Sequence, residues 1–205
     1  GEIGAIRYQI TPLNFSGEIV ITLSVDADVV NKDSNYDEKF WDEVHKEAQP
    51  GTAIVTAQTR KTFFHVTTAM AYSIESGGKK AVTKVSTNLR EKYADNVVQT
   101  DLKQDVPLVI YKYAAILSSE NHAKDKMVEH AKAKLNEAMT AGFDVLYEKH
   151  AKVWAHKWEE CDISIDGDVT AQQGIRFNIF QLTQTYTGED ERLNIGPKGF
   201  TGEKY

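Results

Sequence analysis

Hydrophobic and polar positions alternate through the first half of the chain. Ile19, Ile21, Leu23 and Val25 are interleaved with Val20, Thr22 and Ser24. A repeat of two is the signature of side chains pointing to opposite faces of a sheet. Phe64, Val66, Thr68, Met70 and Tyr72 form a second set, followed by the turn signal Gly77-Gly78, and Ala81–Thr87 resumes strand character. Val109, Tyr111, Tyr113, Ala115 and Leu117 form a further set, with Pro107 acceptable only at a strand start or on an edge. Strands of this kind joined by polar turns predict an antiparallel β-sandwich.

Near residue 121 the period lengthens. Ser119 or Asn121 is placed to cap a helix running through Lys126, Met127, Lys134 and Leu135, with Gly142 as its stop. A second helix follows, in which Phe143, Tyr147, His150, Trp154 and Trp158 share one face and Lys149, Lys152 and Glu159 the other. Asp162–Asp168 reads as a short strand or turn. Asp168 or Thr170 then caps a third helix with the stripe Ile175, Ile179, Leu182 and Tyr186, and Phe180 beside it. Beyond Gly188 the glycines and Pro197 read as a loop.

Composition narrows the class. Of 205 residues, 41% are hydrophobic and 26% charged, the balance of a chain with a packed core. The net charge of −6 disfavours a nucleic-acid partner. No apolar run is long enough to span a bilayer, and no signal peptide opens the chain. The lone Cys161 cannot form an internal disulfide, which fits a cytoplasmic location. The chain starts at Gly1 in strand-like sequence and ends at Tyr205 inside a loop, so the expectation is a piece of a longer polypeptide.

Candidate chemistry is sparse. His122 and His130 are eight residues apart and His150 and His156 six, not the three or four that place two rings on one helix face, so no metal site is expected. Asn31, Asp33, Asn35 and Asp37 resemble the start of a calcium loop, but Glu38 and Val44 stand where a glycine and a glutamate are required. Tyr36, Phe40 and Trp41 offer a surface for sugar stacking, against the simpler reading that Phe40 and Trp41 anchor a loop on the sandwich. Glu159-Glu160 and Glu189-Asp190-Glu191 read as solvated charge rather than as a catalytic pair. The glycine- and lysine-bearing run Gly196–Lys204 lacks the spacing of a phosphate-binding loop.

Two longer stretches carry more. Ile175–Leu182 with Gln184–Tyr205 resembles glycoside hydrolase family 65, as do Arg7–Glu18 and Asn35–Trp41. The resemblance implies an architecture of N-terminal β-sandwich, two-helix linker and (α/α)6 barrel. Residues 1–120 would then be the later part of the sandwich, 121–160 the linker, and 161–205 the truncated start of the catalytic domain with its first barrel helix. The family's general-acid glutamate lies deeper in the barrel, so the resemblance implies no catalytic residue in this chain. Lys198, Phe200, Thr201 and Gly202 lead toward the family's sugar-binding segment and become substrate-proximal candidates.

For a whole enzyme the resemblance implies phosphorolysis of an α-glucosidic disaccharide with inversion. Inorganic phosphate is co-substrate, and neither metal nor organic cofactor is needed. The resemblance favours maltose as substrate, giving β-glucose 1-phosphate and glucose; kojibiose, nigerose and trehalose are the alternatives. It further implies a homodimer. This stretch alone is then an inactive scaffold, or a non-catalytic carbohydrate-binding sandwich. The sandwich's open edges are expected to be covered by self-association or by the linker helices.

Overall fold

The computed structural model describes residues 1–29, 39–186 and 188–193. These divide into two units, the first comprising Gly1–Val29 with Lys39–Leu146 and the second beginning at Tyr147.

The first unit is the expected antiparallel sandwich. Its strands are β1 (Ile3–Ile10), β2 (Gly17–Asp26), β3 (Trp41–Gln49), β4 (Thr52–Thr59), β5 (His65–Ser76), β6 (Lys79–Lys80), β7 (Lys84–Arg90), β8 (Tyr93–Leu102) and β9 (Leu108–Ser118). One sheet runs β1-β9-β5-β4-β3, with β6 hairpinned onto the end of β5, and the other runs β2-β8-β7. Pro107 stands immediately before β9, where no ladder hydrogen bond is lost. Strand β7 begins at Lys84, so Ala81–Thr83 is a connection rather than part of the expected strand.

Leu23 and Val25 of the first alternating set point between the sheets, where they meet Val55, Met70, Tyr72, Ile74, Val98 and Ile110. The set on β9 faces the other way. Tyr113, Ala115 and Leu117, with Ile54, Ala69 and Ala71, form an outer apolar face on the larger sheet. Helix α1 (Met127–Ala141) covers that face through Met127, Ala131, Leu135 and Ala138. Its Lys132 pairs with Glu47 on β3 and its Lys134 with Glu2 ahead of β1, so ion pairs fasten it at both edges of the sheet.

Helix α1 starts later than expected. Neither Ser119 nor Asn121 caps it; a turn of 3-10 helix over Lys124–Lys126 precedes it, and no side chain bonds its N-terminus. Its end is as expected. Gly142 has φ of 80°, a backbone region costly for side chains with a Cβ, and its N–H closes onto Ala138 O. Helix α2 (Phe143–Cys161) follows at once and carries the chain into the second unit. At its first turn the Arg7 guanidinium lies 5.1 Å from the Phe143 ring centre, and the Tyr111 ring stands 6.3 Å from the same ring.

In the second unit, the rings of His150, Trp154 and Trp158 follow one another along α2 at 6.3 and 6.2 Å. Helix α3 (Val169–Thr185) sets Phe180 4.9 Å from Trp154. Ile175, Ile179 and Tyr186 of the expected stripe are half-buried, but Leu182 is 70% exposed. The stripe is centred on Ile179 and Thr183, because Phe180 and not Leu182 turns toward α2, and Leu182 falls at its margin.

The cap of α3 is Asp168, whose Oδ1 accepts the Ala171 N–H at 2.9 Å. Asp168→Ala is expected to cost about 1 kcal/mol of local helix stability, and Asp168→Asn almost none. Helix content and amide protection at Ala171 read this out; equal protection in both variants would deny Asp168 a capping role.

Candidate functional site

The chemistry-bearing side chains of the sandwich gather at one end, where β2 finishes, β3 begins and the β7–β8 hairpin turns. Asp28 and Lys39 lie eleven positions apart in sequence, and their side chains meet at 2.7 Å. Lys92 joins them with Nζ 3.1 Å from Asp28 Oδ1. Lys92 occupies the hairpin turn with φ of 52° and is only 4% exposed. Its backbone N–H donates to Glu43 Oε2 at 2.6 Å, and Glu43 also accepts from Lys46.

Every charge in this network has a partner. Hydrogen bonds from Lys39 and Lys92 hold the Asp28 carboxyl below its ordinary range. The hydrogen bond to Asp28 raises the Lys92 ammonium, outweighing the opposing effect of burial. Burial pushes Glu43 up, but the Lys92 N–H and Lys46 outweigh it and leave the group below its ordinary value. A buried lysine paired in this way supplies no free nucleophile or base.

Trp41 opens β3 beside this network and lines a hollow of about 160 Å3 with Asp26, Ala27, Val29, Ala57, Val66 and Thr68. That volume is below the roughly 300 Å3 at which small-molecule pockets begin. Phe40, next to it, is half exposed. Tyr36, the third aromatic of the group, and the Asn31–Asp37 cluster lie outside the described residues.

A larger hollow of about 480 Å3 is lined in part by Gly51, Tyr72, Glu75, Lys80 and Met139. Its inner wall is committed to structure. The Tyr72 hydroxyl donates to Asn96 Oδ1 at 3.0 Å, and burial pushes the phenol above its ordinary range.

The second unit carries two forked ion pairs. Arg176 engages both oxygens of Asp162, and Arg192 both oxygens of Asp190. The Arg192 side chain lowers the Asp190 carboxyl to about 2, so this member of the acidic run is an anchored anion. Lys198, Phe200, Thr201 and Gly202 lie outside the described residues. Among the described residues, no three His, Cys, Asp or Glu side chains gather as metal ligands.

One juxtaposition escaped the sequence. His122 and His130 are eight residues apart, yet their Nδ1 atoms stand 3.1 Å from each other. Helical spacing does not apply, because His122 lies in the turn ahead of α1 and only His130 is on the helix. The signal that could have found the pair is the late start of the helix, which the apolar period alone does not mark.

Comparison with known proteins places the chain. The model of the glycosyl hydrolase family 65 N-terminal domain matches residues 1–157, and that of the family's central catalytic domain matches residues 176–205. The chain belongs to glycosyl hydrolase family 65. It is 35% identical to the maltose phosphorylase of Bacillus subtilis (strain 168), over all of this chain and 26% of that protein. Identity is 26% with the alpha,alpha-trehalose phosphorylase of Thermoanaerobacter brockii, over 99% of this chain and 27% of the relative. It is 29% with the kojibiose phosphorylase of Caldanaerobacter subterraneus subsp. tengcongensis, over 98% of this chain and 27% of the relative.

A solved human-microbiome protein, provisionally assigned as a kojibiose phosphorylase, superposes with a TM-score of 0.84 at 25% identity, covering 98% of this chain and 26% of that one. The chain spans about a quarter of the length of these relatives. The sandwich-then-helices architecture is therefore the family's own, and α3 from Arg176 onward falls within the match to the catalytic domain.

Proposed function

We propose that this chain is the scaffold portion of an inverting disaccharide phosphorylase whose substrate is maltose. The observation that carries the substrate is the 35% identity to a maltose phosphorylase along the whole chain, against 26% and 29% for the trehalose and kojibiose enzymes. In this reading a carboxylic acid outside the chain protonates the leaving oxygen, as in inverting glycosidases. Phosphate attacks the anomeric carbon from the opposite face, releasing glucose and β-glucose 1-phosphate. No metal or organic cofactor takes part, and the enzyme is a cytoplasmic homodimer.

Residues 1–120 then form the sandwich portion, 121–160 the linker and 161–205 the beginning of the catalytic domain. The sandwich and linker support the catalytic domain and contribute no reacting group. In this reading Lys198, Phe200, Thr201 and Gly202 are the substrate-proximal residues of the chain, a role supported by the family resemblance of the terminal run.

The test is phosphate-dependent release of β-glucose 1-phosphate by the protein expressed from its full reading frame, with maltose, kojibiose, nigerose and trehalose offered in parallel. Maltose is expected to give the highest kcat/KM, and the 205-residue chain alone no turnover. Preference for another disaccharide would reassign the substrate. Activity of the short chain would overturn the scaffold reading. In the same assay Lys198→Ala should raise KM for maltose or phosphate; unchanged values for both remove Lys198 from the site.

A further inference from the structure

The cluster Glu2–His122–His130 has no role in the reading above, and its geometry is specific. His122 Nε2 lies 2.7 Å from Glu2 Oε1. A carboxylate only accepts, so in neutral His122 the proton resides on Nε2 and Nδ1 presents a lone pair. That lone pair faces His130 Nδ1 at 3.1 Å, with the ring centres 5.3 Å apart and the rings inclined at 66°. The other Glu2 oxygen accepts from Lys134 at 2.9 Å, so the carboxylate is held on both sides.

We propose that His122 and His130 are a two-histidine binding site for a divalent transition-metal cation, with Glu2 orienting His122 and water completing the coordination. Two imidazole nitrogens at 2.0–2.1 Å from a tetrahedral zinc stand about 3.3 Å apart, so the observed separation needs only a small opening. A carboxylate on the far nitrogen of a ligating histidine fixes its tautomer and strengthens it as a donor, which is the position Glu2 takes. The His122 side chain is 15% exposed, while His130 is open to solvent, leaving room for bound water on one side only.

The proton ledger closes without redox chemistry. In the free pair the His130 Nδ1 proton bridges to His122. On binding, that proton moves to the exposed His130 Nε2, and both Nδ1 lone pairs take the metal. The cation would clip the turn before α1 to the helix's first turn and, through Glu2, to the start of β1. Lys134 also contacts Glu2, and it tempers the affinity without occupying either Nδ1.

The experiment is calorimetric titration of the 205-residue chain with zinc chloride in chelator-free buffer, with thermal unfolding alongside. One equivalent is expected to bind and to raise the unfolding midpoint. His122→Ala and His130→Ala should each abolish that equivalent, and Glu2→Gln should weaken it about tenfold or more. His130 is exposed, so its alanine variant keeps the fold, and circular dichroism checks this. His156→Ala, on α2, is expected to change nothing. No saturable binding at millimolar zinc overturns the proposal. So does binding that persists in His130→Ala, or binding that disappears in His156→Ala.

Discussion

Replacing Asn96 by alanine is expected to lower the stability of the sandwich by about 3 kcal/mol. Asn96 is fully buried between the sheets. Its Oδ1 accepts from the Gly51 N–H at 2.8 Å and the Tyr72 hydroxyl at 3.0 Å, and its Nδ2 donates to Thr52 O at 3.0 Å. One side chain on β8 thus satisfies the β3–β4 turn and a phenol on β5. The turn depends on Gly51, whose φ of 97° few side chains tolerate. Each buried polar group stranded by a lost partner costs roughly 1–3 kcal/mol. Gly51 and Thr52 border the surface and regain water, so the total falls well short of three full penalties.

Tyr72→Phe removes one of these bonds and leaves Asn96 two, so about 1 kcal/mol is expected. The double variant should fall short of the sum, because both changes break the same contact. Urea unfolding followed by the strand signal in circular dichroism measures all three. An Asn96→Ala loss below about 0.5 kcal/mol would show that water replaces the side chain.

What could be read from the sequence follows from how many faces of each element are buried. Strand β2 has one face on the core, so buried Leu23 and Val25 alternate with the less buried Thr22, Ser24 and Asp26 and the period reveals it. Strand β4 is covered on both faces, by the smaller sheet and by α1, and its run Ala53-Ile54-Val55-Thr56-Ala57 shows no alternation. Strand β3 fails for the opposite reason: it is an edge strand carrying Asp42, Glu43, Lys46 and Glu47, charges that protect an edge and hide a strand. Helix ends marked by a conformational demand were legible, as at Gly142 and Asp168. The start of α1 has no capping side chain and left no mark.

The polar juxtapositions were the least legible. The Asp28–Lys92 pair joins residues 64 positions apart, and Glu2–His122 joins residues 120 apart. Neither has a local period. The candidate residues Lys198, Phe200, Thr201 and Gly202 came from family resemblance and not from any pattern of charge or spacing.

Leu135→Ala is expected to cost about 3 kcal/mol, within the 2–5 kcal/mol typical of a buried leucine cut to alanine. Leu135 is 3% exposed and packs in the outer cluster with residues such as Ile54, Tyr113 and Leu117. Two forces hold α1 on that face, and their magnitudes decide between them. The Lys132–Glu47 and Lys134–Glu2 pairs are short, at 2.6 and 2.9 Å, but both lysines are substantially exposed. Pairs of that kind contribute about 0–1 kcal/mol each. Burial of Met127, Ala131, Leu135 and Ala138 should therefore dominate, with the ion pairs setting the helix's direction across the sheet.

A helix of 15 residues is marginal by itself in water, so weakened packing should also loosen its backbone. The amides of α1 should lose more exchange protection in Leu135→Ala than in the double variant Lys132→Ala with Lys134→Ala. Met139→Ala, at a position 40% exposed, should change little. If removing the two lysines costs more than removing the leucine, electrostatics and not apolar burial docks this helix.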